Sequence, residues 1–136
     1  VAPTGNGRRE SFRSSPIPRM RATYMESGNA EPEGIIASVS KGIYVNEFSN
    51  GQVKIGEGDF TFFVKSGFLI ENGKLTTPVK DINVIGNGPQ ALKDIVAVGN
   101  DCVIDDSAWT CGKGQSVPVC CGMPTVLINN LTVGGE

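Results

Sequence analysis

From Gly42 to about Val84, short apolar stretches alternate with turn residues, and this rhythm predicts strands rather than helices. IYVNEF and QVKI flank Ser49-Asn50-Gly51, which predicts a first hairpin. DFTFFVKSGFLI alternates in part, with Gly67 marking a bulge or a close backbone approach. Asn72-Gly73, between FLIE and KLTTPV, is a strong hairpin signal because both residues tolerate positive φ. Gly56-Glu57-Gly58-Asp59 reads as a hairpin turn, since no series of acidic ligands continues it into a calcium loop. Toward the end, DCVID, QSVPVCCGMP and TVLINNLTV read as strands, with a Gly-rich loop around Cys111.

Two segments carry helical signals. Glu31 to Lys41 places Pro32 in a first turn, acidic residues at the positive end of the dipole, and Ile35, Ile36 and Val39 on one face, before Gly42 ends it. Gly88-Pro89 opens a second helix over PQALKDIVAV. Residues 1–30 are polar, rich in Pro, Gly, Ser and Arg, and without a sustained period. They read as an extended polar arm ahead of a β-rich domain over 31–136. The fold class expected is α+β: a predominantly antiparallel, strongly curved, barrel-like sheet with two short helices. No repeat is visible.

Composition narrows the function classes. The 136 residues fit one domain, and 39% hydrophobic with 19% charged residues reads as soluble and globular. A net charge of −2 and a pI of about 5.2 leave no basic footprint for nucleic acid. Arg8, Arg9, Arg13, Arg19 and Arg21 form one basic cluster, read as a solvated arm or ion-pair donors. No apolar run approaches the ~18 residues of a membrane span. The opening VAPTGNGRRE has neither an h-region nor an initiator methionine, so a processed chain or a part of something longer is expected.

Cys102, Cys111, Cys120 and Cys121 all fall in the last 35 residues, and an intracellular, reduced setting is expected for them. On a strand, Cys120 and Cys121 point to opposite faces, which disfavours a vicinal bridge. The chain has no histidine at all, which excludes Ser-His-Asp and Cys-His catalysis and any histidine-ligated metal built from this chain alone.

The most chemically loaded stretch is Thr110-Cys111-Gly112-Lys113-Gly114-Gln115-Ser116. Glycines beside a cysteine allow the backbone to approach a ligand, and Lys113 favours the thiolate that binds metals. Taken alone, a Gly-flanked cysteine in a turn is more often structural. GKGQS lacks the spacing of a phosphate loop. Gly86-Asn87-Gly88-Pro89 reads as a tight turn into a capped helix rather than an anion site, and Asp105-Asp106 as a solvated turn.

These segments occur in the order found in one family. GNGRRESF (5–12), PIPRM (16–20), GIYV (42–45), GQV (51–53), GDFTF (58–62), FLIENGKLTTPVK (68–80), IGNGPQAL (85–92), VGNDC (98–102), CGKGQSVPV (111–119) and MPTVLINNLTVGG (123–135) together span nearly the whole chain. In them the sequence resembles the carboxy-terminal region of the TldD/PmbA family, the so-called modulators of DNA gyrase. The resemblance implies a zinc metallopeptidase, a hydrolase whose metal is held by two histidines of an HExxxH motif upstream and by a cysteine. That cysteine corresponds to Cys111, and its CGKGQSVPV setting is that of the TldD type rather than the inert paralogues. The resemblance further implies unfolded peptide as substrate, a homodimer or a heterodimer with a PmbA-type subunit, and a cytoplasmic location. Membrane and nucleic-acid partners are not expected. Departures from the family pattern are Ala22, where Asn is usual, and Cys120-Cys121, where small or apolar residues are usual. The chain thus supplies one ligand of three and no general base, so catalysis is uncertain for this chain by itself. The alternative reading is a non-catalytic structural or dimerisation domain, or a truncated, inactive family member.

Overall fold

The computed structural model describes residues 4–135, with residues 106–108 described through their backbone alone. The first three positions of the expected arm, Glu136 and the Asp106 side chain lie outside the described residues. In chain order the elements are β1 (Gly7–Arg8), β2 (Ile17–Pro18), β3 (Ala22–Tyr24), α1 (Pro32–Ala37), β4 (Lys41–Val53), β5 (Asp59–Glu71) and β6 (Lys74–Val79). They continue as β7 (Ile82–Asn87), α2 (Gly88–Lys93), β8 (Ile95–Val98), β9 (Val103–Gly112), β10 (Ser116–Met123), β11 (Val126–Ile128) and β12 (Thr132–Gly134). The class is mostly antiparallel β with two short helices. Among the described residues no helix is long and apolar enough to cross a membrane.

The chain divides into two compact units, one of residues 4–27 with 101–124 and one of residues 28–100 with 125–135. In the larger unit β5 is the organising strand. β4 pairs along one side of it, while β7 and then β6 share the other. β12 extends the sheet beyond β7, and β8 pairs with β11 separately. The expected barrel-like closure is not found among the described residues, because the five-stranded sheet has open ends at β12 and β4 and the remaining sheets hold only two or three strands. Val64, on β5 and at 1% exposure the most buried side chain described, is joined among the buried apolar residues of this unit by Ile70, Val84, Ile35 and Ala91. Phe62 packs between Phe48 and Phe60 at ring-centroid distances of 5.5 and 5.3 Å.

Local chemistry explains where the elements begin and end. Asn72 and Gly73 make the β5–β6 hairpin with φ of 51° and 75°, as the dipeptide predicts. Their amides donate to the carbonyls of Ser40 and Val39 at 2.7 and 2.8 Å. α1 stops at Ala37 instead of running to Lys41, because Lys41 already opens β4, paired with Glu71. Pro78 sits on β6, which pairs with β5 alone, the edge position at which a strand tolerates proline.

Three expectations are corrected. Ser49-Asn50-Gly51 is not a turn: β4 runs on to Val53, and the chain reverses at Lys54–Gly58, where Gly58 N–H donates to Lys54 O at 2.9 Å. Gly51 is needed for close approach, since a side chain there would overlap the Phe62 ring. The second helix stops at Lys93, and Ile95-Val96-Ala97-Val98, mostly β-branched, pairs as β8 with β11. Asp105 lies within β9 rather than in a turn, and its Oδ2 accepts from Trp109 Nε1 at 3.1 Å. By contrast, the turn at Gly56–Asp59 and the capped start of α2 are as expected, with the Asn87 side chain accepting from Gln90 N–H.

Candidate functional site

The smaller unit carries Cys111. A two-strand ladder, Gly7 with Pro18 and Arg8 with Ile17, joins β1 to β2. A three-strand sheet in the order β3-β10-β9 follows, with β3 parallel to β10 and β9 antiparallel to it. Cys111 does not lie in a loop. It is the penultimate residue of β9, opposite Val117, and the turn to β10 is Lys113–Gln115, where Gly114 takes a φ of 67°. The antiparallel ladder, which runs on to Gly112 opposite Ser116, thus fixes the cysteine backbone, and only Lys113, Gly114 and Gln115 are left to form the turn.

The second wall of the site comes from the PIPRM segment. Arg19, read from sequence as a solvated arginine, is instead the one buried charged side chain among the described residues, at 4% exposure. Its Nη2 donates to the carbonyl oxygens of Cys111 and, at 2.7 Å, of Gln115. Arg19 Nε and Nη1 are buried without a hydrogen-bond partner. Gln115 reaches the loop between β1 and β2 on both sides: its Oε1 accepts from Glu10 N–H at 3.1 Å and its Nε2 donates to Ser15 O at 2.9 Å. Arg8 Nη1 donates to Met20 O at 2.9 Å, and Lys113 Nζ to Pro18 O at 3.4 Å. An open groove of about 610 Å³ runs beside this wall, lined by Asn6 and residues 18–23.

The thiol itself is half-buried and electrostatically biased. The Met20 backbone hydrogen bond holds the Cys111 thiol below the ordinary thiol range, and a hydrogen bond from the Arg19 side chain acts in the same direction. Desolvation opposes the shift, while the charges of Arg19 and then Lys113 reinforce it. Lys113, the neighbour that the sequence suggested, is therefore the smallest contributor. Met20 and Arg19 went unrecognised as partners because they lie far upstream; the only sequence signal was that PIPRM and CGKGQSVPV are both distinctive segments.

A pH prediction follows from the sign of this shift. A lowered pKa means that the thiolate is already present at a pH where an ordinary cysteine, with a pKa of about 8.5, is still protonated. Alkylation of Cys111 by iodoacetamide, resolved residue by residue by mass spectrometry, is expected to reach half its limiting rate at lower pH than that of a cysteine in an unfolded control peptide. Equal midpoints would contradict the electrostatic description.

The other cysteines do not join Cys111. Cys120 and Cys121 lie on β10, opposite Ala22 and Thr23 of β3, at a register shift between Val119 and Cys121. Cys102 Sγ approaches Met25 O at 3.2 Å, and all four thiols are free. Among the described residues no group of three or more His, Cys, Asp or Glu side chains is arranged to hold a metal ion. The donor chemistry at Cys111, a half-buried thiol biased toward thiolate, fits one soft ligand of a zinc site whose remaining ligands lie outside this chain.

Comparison with known proteins gives a consistent picture. The family model described as the PmbA/TldA metallopeptidase C-terminal domain matches residues 1–135. A metalloprotease TldD homolog of Buchnera aphidicola from Acyrthosiphon pisum is 47% identical over 136 residues, covering 99% of this chain and 28% of the relative. A zinc metalloprotease TldD homolog of Saccharolobus solfataricus is 33% identical over 134 residues, covering 98% of this chain and 30% of the relative. Among solved structures, a modulator of a DNA gyrase from Thermotoga maritima superposes with a TM-score of 0.70 at 27% identity, over 98% of this chain and 27% of that one. The chain thus spans less than a third of the length of these relatives. It belongs to the TldD/PmbA metallopeptidase family, as that family's C-terminal domain.

Proposed function

We propose that this chain is the part of a TldD-type zinc metallopeptidase that contributes the cysteine ligand, Cys111, to a metal site completed by an HExxxH segment outside it. The observation that carries the reading is the arrangement at Cys111: a thiol at the rigid end of a paired strand, facing a buried guanidinium and a backbone N–H that favour its anionic form. When bound, zinc with three protein ligands and a water supplies a hydroxide-like nucleophile near neutral pH. This chain's own task is narrower: to present one thiolate from a fixed direction and to keep its backbone from moving when the metal or a peptide binds. Unfolded peptide is the substrate class that goes with this reading, with assembly as a homodimer or with a PmbA-type subunit in the cytoplasm. The relatives' metalloprotease names support peptide hydrolysis for the complete proteins.

The chain by itself is expected to bind zinc weakly, since one thiolate and no histidine cannot close a tetrahedral site. Isothermal titration of the isolated chain with zinc tests this, followed by the same titration and a peptidase assay after joining it to an HExxxH-bearing amino-terminal portion. Tight zinc binding and hydrolysis only in the joined protein support the proposal. Tight stoichiometric binding by the isolated chain would overturn it in favour of a structural cysteine site. Absence of both properties from the joined protein would favour a non-catalytic interaction domain.

A further inference from the structure

We propose that Arg19 is a positioning residue for the Cys111 ligand, acting on the end of β9 rather than on substrate; the inference rests on the metal-ligand reading above. A lone buried guanidinium is unfavourable unless its donors are used and its charge is compensated. Among the described residues Arg19 makes no ion pair with a carboxylate. What it does contact is the turn that carries the cysteine. Nη2 donates to the carbonyls of both Cys111, near the end of β9, and Gln115, which closes the turn to β10.

Those contacts bridge the turn from inside. From outside, the Gln115 side chain ties the same turn to Glu10 and Ser15, and Lys113 ties it to Pro18. Arg19 is in turn fixed at its own backbone, where its N–H donates to Asn6 O at 2.9 Å. Residues 6–20 therefore form a brace whose inward element is the guanidinium. Its Nη2, held in a rigid plane, reaches two carbonyls together, whereas a lysine ammonium in its place would keep the charge but lose that fixed direction. Groups that orient a metal ligand in this way commonly change metal affinity by about 10–100-fold when removed.

The test uses the full-length subunit loaded with cobalt(II) in place of zinc, comparing the native protein with Arg19→Lys, Arg19→Met and Cys111→Ser. The readouts are the sulfur-to-cobalt charge-transfer absorption and the metal affinity in competition with a chelator. Expected are a charge-transfer band in both Arg19 variants that is shifted or weakened, and affinity lower by about 10–100-fold. A purely structural arginine would lower the melting temperature without moving the band. Arg19→Lys keeps a buried charge and decides the matter if Arg19→Met does not fold. Native band and affinity in the folded Arg19 variants, with the band lost in Cys111→Ser, would overturn the role of Arg19 alone. A native protein without the band, together with unchanged metal binding in Cys111→Ser, would overturn the ligand reading and the Arg19 proposal with it.

Discussion

Replacing Cys111 with serine in the full-length subunit is expected to abolish zinc-dependent peptide hydrolysis while leaving the fold of this domain essentially unchanged. Two properties of the position combine to give that result. Serine matches cysteine in shape, and the side chain is only half-buried, so the substitution removes little packing and a stability change within about 0.5 kcal/mol is expected. The chemistry, however, is lost completely. A serine hydroxyl at neutral pH is not the soft anionic donor that zinc takes from cysteine, and the chain offers no histidine nearby to replace it. The other thiols do not compensate, because Cys120 and Cys121 sit elsewhere on β10 and Cys102 in the segment before β9. Activity and zinc content measured together check the prediction, and full activity with normal zinc would contradict it.

The largest effect on stability is expected at Gly73. Its φ of 75° is left-handed, and a Cβ built there would lie 2.5 Å from the carbonyl oxygen of Ala37 and 3.0 Å from its Cα. Gly73→Ala therefore combines a backbone conformation worth about 1–2 kcal/mol against an L-residue with overpacking against main chain worth about 1–3 kcal/mol. The substitution, at about 2–5 kcal/mol in sum, would also pull apart the hydrogen bonds by which residues 72 and 73 hold Ser40 and Val39 between α1 and β4. Gly56→Ala is the matched control: its φ of 96° carries the conformational penalty, but nothing lies within 4 Å of the new carbon. Urea unfolding of both variants should show the Gly73 variant clearly the less stable. Equal destabilisation would mean that the contact with α1 contributes nothing.

These two residues also mark what could be read from the sequence. Gly73 was legible because a hairpin dipeptide with two positive φ angles leaves few residue types to choose from, and Asn-Gly is the strongest of them. Gly51 was misread for the converse reason: the same dipeptide type served close approach to Phe62 inside a continuous strand, and only the partner strand reveals that. The strand over Ile95–Val98 was hidden by a helical pattern that carried on past its stop at Asp94, whose carbonyl is taken by Asn129 N–H. Barrel-like closure depends on how edge strands pair, which no local pattern encodes. At the site, Cys111 stood out through its glycines and its family segment, whereas Arg19 looked like one of several surface arginines. Its burial follows from a contact across 92 residues of sequence, and neither local charge nor periodicity reports such a contact.

In the proposed function, Cys111 donates its sulfur to the catalytic metal of the complete protein. X-ray absorption at the zinc edge of the full-length subunit, native and Cys111→Ser, tests this most directly. The prediction is one sulfur scatterer at about 2.3 Å in the native protein and none in the variant. An all-nitrogen-and-oxygen shell in the native protein, or a sulfur that persists in the variant, would contradict it.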